Sequence, residues 1–135
     1  MSEVAEFLKD THSLVRWFIL TFALVGSARA FVSMLSVSGK FTRLDQGLSN
    51  AYRGLLSLQG VLGILLIMAA LTRQTTVPWL HLIVMLPAIG VSHLARRFRA
   101  RPDRTRQQYQ LGIYLGSLAL VAIGLAVINE LYLPA

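Results

Sequence analysis

Three histidines, His12, His81 and His93, are the side chains of this chain best suited to chemistry. A neutral imidazole can ligate a transition metal, exchange hydrogen bonds, or carry a proton near neutral pH. Arg16 follows His12 by four residues, so the two share one face of a helix. His81 and His93 lie in residues 79–97, WLHLIVMLPAIGVSHLARR, a stretch apolar enough to cross a membrane. An ionisable side chain in such a helix is costly, and it usually faces a protein interior. There is no cysteine, so disulfides, thiolate metal sites, iron–sulfur clusters and covalently attached haem are excluded.

The elements that must position these residues are membrane helices. The chain has 135 residues, enough for one small domain, and 55% of them are hydrophobic against 14% charged. Several stretches are apolar all round, which fits lipid as the solvent. Four spans are predicted, at about 12–35, 49–71, 79–97 and 107–131. The fold expected is therefore an all-α, integral membrane four-helix bundle. Residues 1–11 start acidic and do not read as a signal peptide; a short interfacial helix is expected there.

Particular residues punctuate the spans. Trp17 and Phe18 suit an aromatic belt, and Gly39 a turn. Gln59 falls near mid-membrane among Gly54, Ser57, Gly60 and Gly63. A glutamine at that depth is expected to hydrogen-bond a neighbouring helix, and the glycines to admit another helix or a flat cofactor. Pro78 opens the third span, and Pro87 removes a backbone bond and bends the helix near Ile83. Gly112 and Gly116 form a GxxxG packing signal in the fourth span, and Glu130 and Tyr132 mark its exit.

The net charge is +7, but its placement argues against nucleic acid. Arg96, Arg97, Arg99, Arg101, Arg104 and Arg106 crowd between two spans, as a cytoplasmic loop requires. One side of the membrane collects nine basic residues: these six with Lys40, Arg43 and Arg53. The other side holds Lys9 and Arg73. The positive-inside rule then places the arginine loop in the cytoplasm and both termini on the outer side. Arg29 and Arg53 are expected toward the cytoplasmic interface, with Asp45 a candidate partner for either.

This topology brings His12 and His81 to one depth, each near the outer end of its span. His93 lies about 18 Å deeper than His81 and about 120° around the helix, so it cannot share their site. Two imidazoles opposed across a bundle are the minimal ligand set for b-type haem. Arg16, one turn from His12, could neutralise a propionate. Trp17 and Trp79 could flank the ring, and Met85, Ala88 and Ser92 follow on the His81 face. The plainer alternative is that each interfacial histidine only hydrogen-bonds lipid head groups or a backbone carbonyl. HExxH, a phosphate-binding glycine loop and paired intramembrane carboxylates are all missing, so no catalytic residue is assigned.

HSLVRW at the start of span one, TRLDQGL before span two, LQGVLGILL within it and HLIVMLPAIGVSH in span three carry a resemblance. They resemble a group of small four-helix bacterial membrane proteins loosely described as cytochrome-b-like, over about residues 12–97. The resemblance implies that His12, Arg16, Gln59 and His81 belong to one interior site, with His12 and His81 as the metal ligands. Small four-helix b-type subunits of respiratory complexes hold haem between such histidines. The expectation is a multi-pass subunit of the bacterial inner membrane that binds haem b near the outer face. It passes electrons within a respiratory or photosynthetic complex, with quinone as a further candidate ligand. The competing expectation is a cofactor-free structural subunit docked on a larger membrane complex, its arginine loop on lipid. A transporter fits less well, since no span looks broken apart from the Pro87 bend.

Overall fold

The computed structural model describes residues 3–129, and all regular structure among them is helical. The elements are α1 (Glu3–Leu35), α2 (Arg43–Thr72), α3 (Trp79–His93), a 3₁₀ segment (Leu94–Phe98) and α4 (Asp103–Val127). All four spans, taking α3 with its 3₁₀ extension, are long and apolar enough to cross a membrane. Their outward surfaces are apolar: Leu14, Phe18, Phe31, Val61, Met68 and Ile83 are at least half exposed. Water would not tolerate so much exposed hydrocarbon on a small domain, whereas lipid does.

α1 and α2 outrun their predicted spans. The interfacial helix expected over residues 1–11 is not separate among the described residues: from Glu3 onward the segment is the first part of α1. At 33 residues, α1 is about 50 Å long, well beyond a hydrocarbon core of about 30 Å. α2 starts at Arg43 because Thr42 caps it. The Thr42 Oγ1 accepts from the Asp45 backbone N–H, and the Asp45 carboxylate accepts from the Thr42 backbone N–H at 2.7 Å. That reciprocal pairing satisfies two donors left free at a helix start. α3 has only 15 residues, and its 3₁₀ extension brings it to about 32 Å, just enough to span. Pro87 sits inside α3, where its ring deprives the Ile83 carbonyl of a helical N–H, and the helix continues to His93. Gly39 turns the first connection with φ +54°, a conformation that favours glycine. Glu130 and Tyr132 lie outside the described residues.

The helices pack in a ring, each against its neighbours in sequence and α4 against α1. α1 and α3 therefore stand on a diagonal with the bundle axis between them. The α2–α3 seam is the slackest of the four. The core holds Val15, Ile19 and Ala23 of α1, Tyr52, Leu56 and Leu62 of α2, Ala88 of α3, and Tyr114 and Val121 of α4. Tyr52 and Tyr114 meet edge to face with ring centroids 5.1 Å apart. Ser117 Oγ donates to the Ile113 carbonyl, which leaves it to accept from the Tyr52 hydroxyl at 2.6 Å. The Tyr114 ring lies where a Cβ on Gly26 would fall, so that glycine is what lets α4 close on α1. Gly60 and Gly124 admit Ile89 and Met85 in the same way. The GxxxG pair does not: Gly112 and Gly116 face outward, with open space or only a 4.0 Å neighbour at their Cβ positions.

One end of the bundle is tied by Asp45. Its carboxylate is 5% exposed and accepts from the Arg29 guanidinium, from Thr42 and from Gln107 Nε2 at 3.1 Å. Arg29 also donates to Thr42 Oγ1, and Gln107 to the Lys40 carbonyl. Three helices and a loop thus converge on one carboxylate. Of the two partners considered for Asp45, it takes Arg29; Arg53 bonds Asn50 instead.

Candidate functional site

The opposite end of the bundle is hollow. A cavity of about 500 Å³ opens among all four helices, a size suited to a cofactor or small amphipathic ligand. α1 contributes Lys9, His12, Ser13, Arg16 and Ile19, and α2 contributes Leu56, Gln59, Gly60, Gly63, Leu66 and Ile67. From α3 come His81, Leu82, Met85 and Ile89, from α4 Val121 and Leu125, and from just beyond α4 Asn129. The cavity exists because α1 and α3 are diagonal and because Gly63 offers no side chain to fill the α2 wall. His12 packs toward that wall, its Cε1 3.7 Å from the Cβ position of Gly63.

His12, Arg16, Gln59 and His81 all line this one cavity. His81 is fixed by its Nδ1, 2.7 Å from the Gly124 carbonyl of α4. A carbonyl can only accept, so Nδ1 carries the proton. In the neutral ring, Nε2 then keeps its lone pair. That is the arrangement a metal-ligating imidazole adopts, with one nitrogen anchored and the other available. His12 has a buried Nδ1 without a hydrogen-bond partner, and its nearest charged or titratable neighbours include His81 and Arg16. Gln59 donates from Nε2 to the His12 carbonyl at 2.9 Å, the interhelical bond expected of a mid-membrane glutamine. It thereby holds the backbone that carries His12. Gln59 Oε1 is also buried and unpartnered.

Arg16 donates to Ser13 Oγ at 2.9 Å and lies 5.7 Å from the Trp17 ring centroid. It stands with Lys9 on the stripe that His12 occupies, so two cations border the cavity beside the imidazoles. A ligand with a flat apolar body and carboxylates at one edge would meet an aliphatic wall and then these cations. Among the described residues, no group of three or more His, Asp or Glu side chains could hold a metal ion by itself. Two imidazoles with the other ligands supplied by a porphyrin remain compatible with the residues present: His81 already has one nitrogen anchored and the other available, and the His12 ring has a buried nitrogen still without a partner.

Other expected residues fall elsewhere. Trp17 and Trp79 do not flank the cavity; they are 62% and 52% exposed on the outer surface, where an aromatic belt would sit. Of the face below His81, Met85 lines the cavity, while Ala88 and Ser92 are buried in helix contacts. His93 is at the far end of α3, its Nε2 3.2 Å from Ser57 Oγ, and takes no part in the site. Lys9 and the Gly124 carbonyl were not singled out from the sequence. Lys9 could have been, being three residues before His12 and seven before Arg16. A backbone acceptor such as Gly124 leaves no trace in residue type. No protein-family model, curated protein or solved structure matches this chain.

Proposed function

We propose that the cavity holds one b-type haem between His12 and His81, in a multi-pass protein of the bacterial inner membrane. The observation that carries this reading is the pair of imidazoles from diagonal helices sharing one cavity. One is anchored through Nδ1 and the other has a buried, unpartnered Nδ1. When bound, haem b supplies a one-electron carrier, which suits a subunit handing electrons on within a larger respiratory or photosynthetic complex. The chain's own part is positional. The Gly124 carbonyl sets the His81 tautomer, Gln59 steadies the His12 backbone, and Gly63 leaves room for a flat ring. Arg16 and Lys9 offer cations to propionates, and the aliphatic wall keeps water from the ligand. Quinone is a further candidate ligand of the complex.

The test is a visible spectrum, oxidised and reduced, of protein purified from its native membrane with its partners. His12→Ala and His81→Ala should each abolish the reduced b-type bands, and His93→Ala should leave them. A wild-type protein without haem would defeat the reading. The cofactor-free structural subunit would then stand, and the open Gly112–Gly116 surface of α4 favours it.

The orientation belongs to the same proposal. Nine basic residues against two support a cytoplasmic arginine loop and an outward cavity. An impermeant thiol reagent applied from outside should label Thr76→Cys, in the α2–α3 connection, and spare Asp103→Cys. The reverse pattern would move the cavity to the cytoplasmic face.

A further inference from the structure

At the end of the bundle away from the cavity, Arg53 is 9% exposed, and its hydrogen bond is to a neutral amide, Asn50 Oδ1, at 2.9 Å. Its charged neighbours are of its own sign: Arg96, in the 3₁₀ segment, and Arg99, just beyond it. His93, at the end of α3, is 3.2 Å from Ser57 Oγ, one helical turn beyond Arg53, and so brings the 3₁₀ segment that carries Arg96 against this part of α2. Asp45, the acid of the same helix, is already engaged by Arg29, Thr42 and Gln107. Three guanidinium groups therefore gather where the slack α2–α3 seam reaches the membrane surface, one of them buried and, among the described residues, in no ion pair. Removing a charge from water without a partner is costly, and gathering like charges adds to the cost. An anion at the seam removes both penalties. Guanidinium forks match phosphate oxygens in geometry as well as charge.

We propose that Arg53, Arg96 and Arg99 form a binding site for a phosphate group, supplied by the head group of an anionic phospholipid. The depth supports the lipid source. Arg53 lies three turns into a membrane helix, while Arg96 and Arg99 are exposed at its rim, so the ligand spans the interface. The acyl chains would lie along the outward apolar surface at Leu58 and Val61. This site is independent of any ligand in the cavity.

The test uses the full chain in a phosphate-free, uncharged detergent. Short-chain phosphatidylglycerol, phosphatidylcholine and inorganic phosphate are titrated separately at fixed ionic strength. The readouts are the melting midpoint and the retained lipid by native mass spectrometry. Phosphatidylglycerol should raise the midpoint and co-purify, and phosphatidylcholine should do so far less. Arg96→Gln/Arg99→Gln should need at least about tenfold more phosphatidylglycerol for the same shift. The control is Arg97→Gln/Arg101→Gln, which removes the same charge from exposed arginines in the same segment. It should behave as wild type. Equal losses in the two variants would mean a diffuse surface field and overturn the site, as would a wild type indifferent to phosphatidylglycerol. If inorganic phosphate alone gives the full shift, the phosphate site stands and its ligand is soluble.

Discussion

The two ends of this bundle are built on opposite plans. At the arginine end, one buried carboxylate gathers Arg29, Thr42 and Gln107, a capping box starts α2, and Phe98 stacks on Tyr109 with centroids 3.9 Å apart. At the other end, two imidazoles, a glutamine and two cations border about 500 Å³ of space, and glycines stand where side chains could fill it. Buried polar atoms are left over at both ends, Gln107 Oε1 beside Asp45 at the first, His12 Nδ1 and Gln59 Oε1 at the second, but only the second leaves them beside open space. Stability and binding capacity have been assigned to different halves of the same four helices, an economy expected where a site needs room that packing would remove.

That division can be broken by substitution. The largest effect is expected from Asp45→Ala, which strands Arg29 and Gln107 and removes the α2 cap together. It should cost about 3 kcal/mol, at the lower end for a broken buried pair because Arg29 is 35% exposed. Thermal unfolding in detergent measures it, and a loss under about 1 kcal/mol would show that the carboxylate is no keystone. Gly63→Leu should act in the other direction. It puts a side chain into the cavity beside His12, gains helix propensity, and should stabilise the ligand-free protein by about 1–2 kcal/mol while lowering haem content. If instead it destabilises, the cavity end is as tightly fitted as the other and the contrast fails.

Two smaller changes sharpen the comparison. Arg16→Leu should weaken haem retention roughly tenfold, about 1.4 kcal/mol, without removing it, because both imidazoles remain. Transfer of haem to an acceptor protein reads this out, and complete loss would mean that Arg16 holds more than a propionate. Tyr52→Phe deletes one buried hydrogen bond to Ser117 and should cost about 1 kcal/mol with haem content unchanged. A drop in haem content would couple the two halves.

Much of the fold was legible because lipid imposes a coarse rule: about twenty apolar residues per span, with arginine between spans. His12 and His81 came together on paper through depth, since antiparallel spans of known length place residues by counting; Arg16 followed from its spacing to His12, and Gln59 only from the resemblance. Depth says nothing of azimuth, which is why Trp17 and Trp79 looked like ring partners and instead face outward. The GxxxG pair points out of the bundle for a related reason. Small residues mark a surface that can be approached closely, and only the packing of the other helices decides which glycines are approached. Here these are Gly26, Gly60 and Gly124. The starts of α2 and α4 came late in the sequence reading because charged and polar residues begin both helices beyond the apolar run.

The diagonal placement of α1 and α3 also has a consequence for biogenesis. Helices enter a membrane in the order they are translated, and α1 can pair with α2 as soon as both are inserted. His12 then lies on a helical hairpin with an open flank. The opposing imidazole arrives with α3, and the carbonyl that orients it arrives last, with α4. The imidazole pair is thus completed only when the final helix closes the ring, so on the proposed reading a ligand in the cavity would report that insertion has finished.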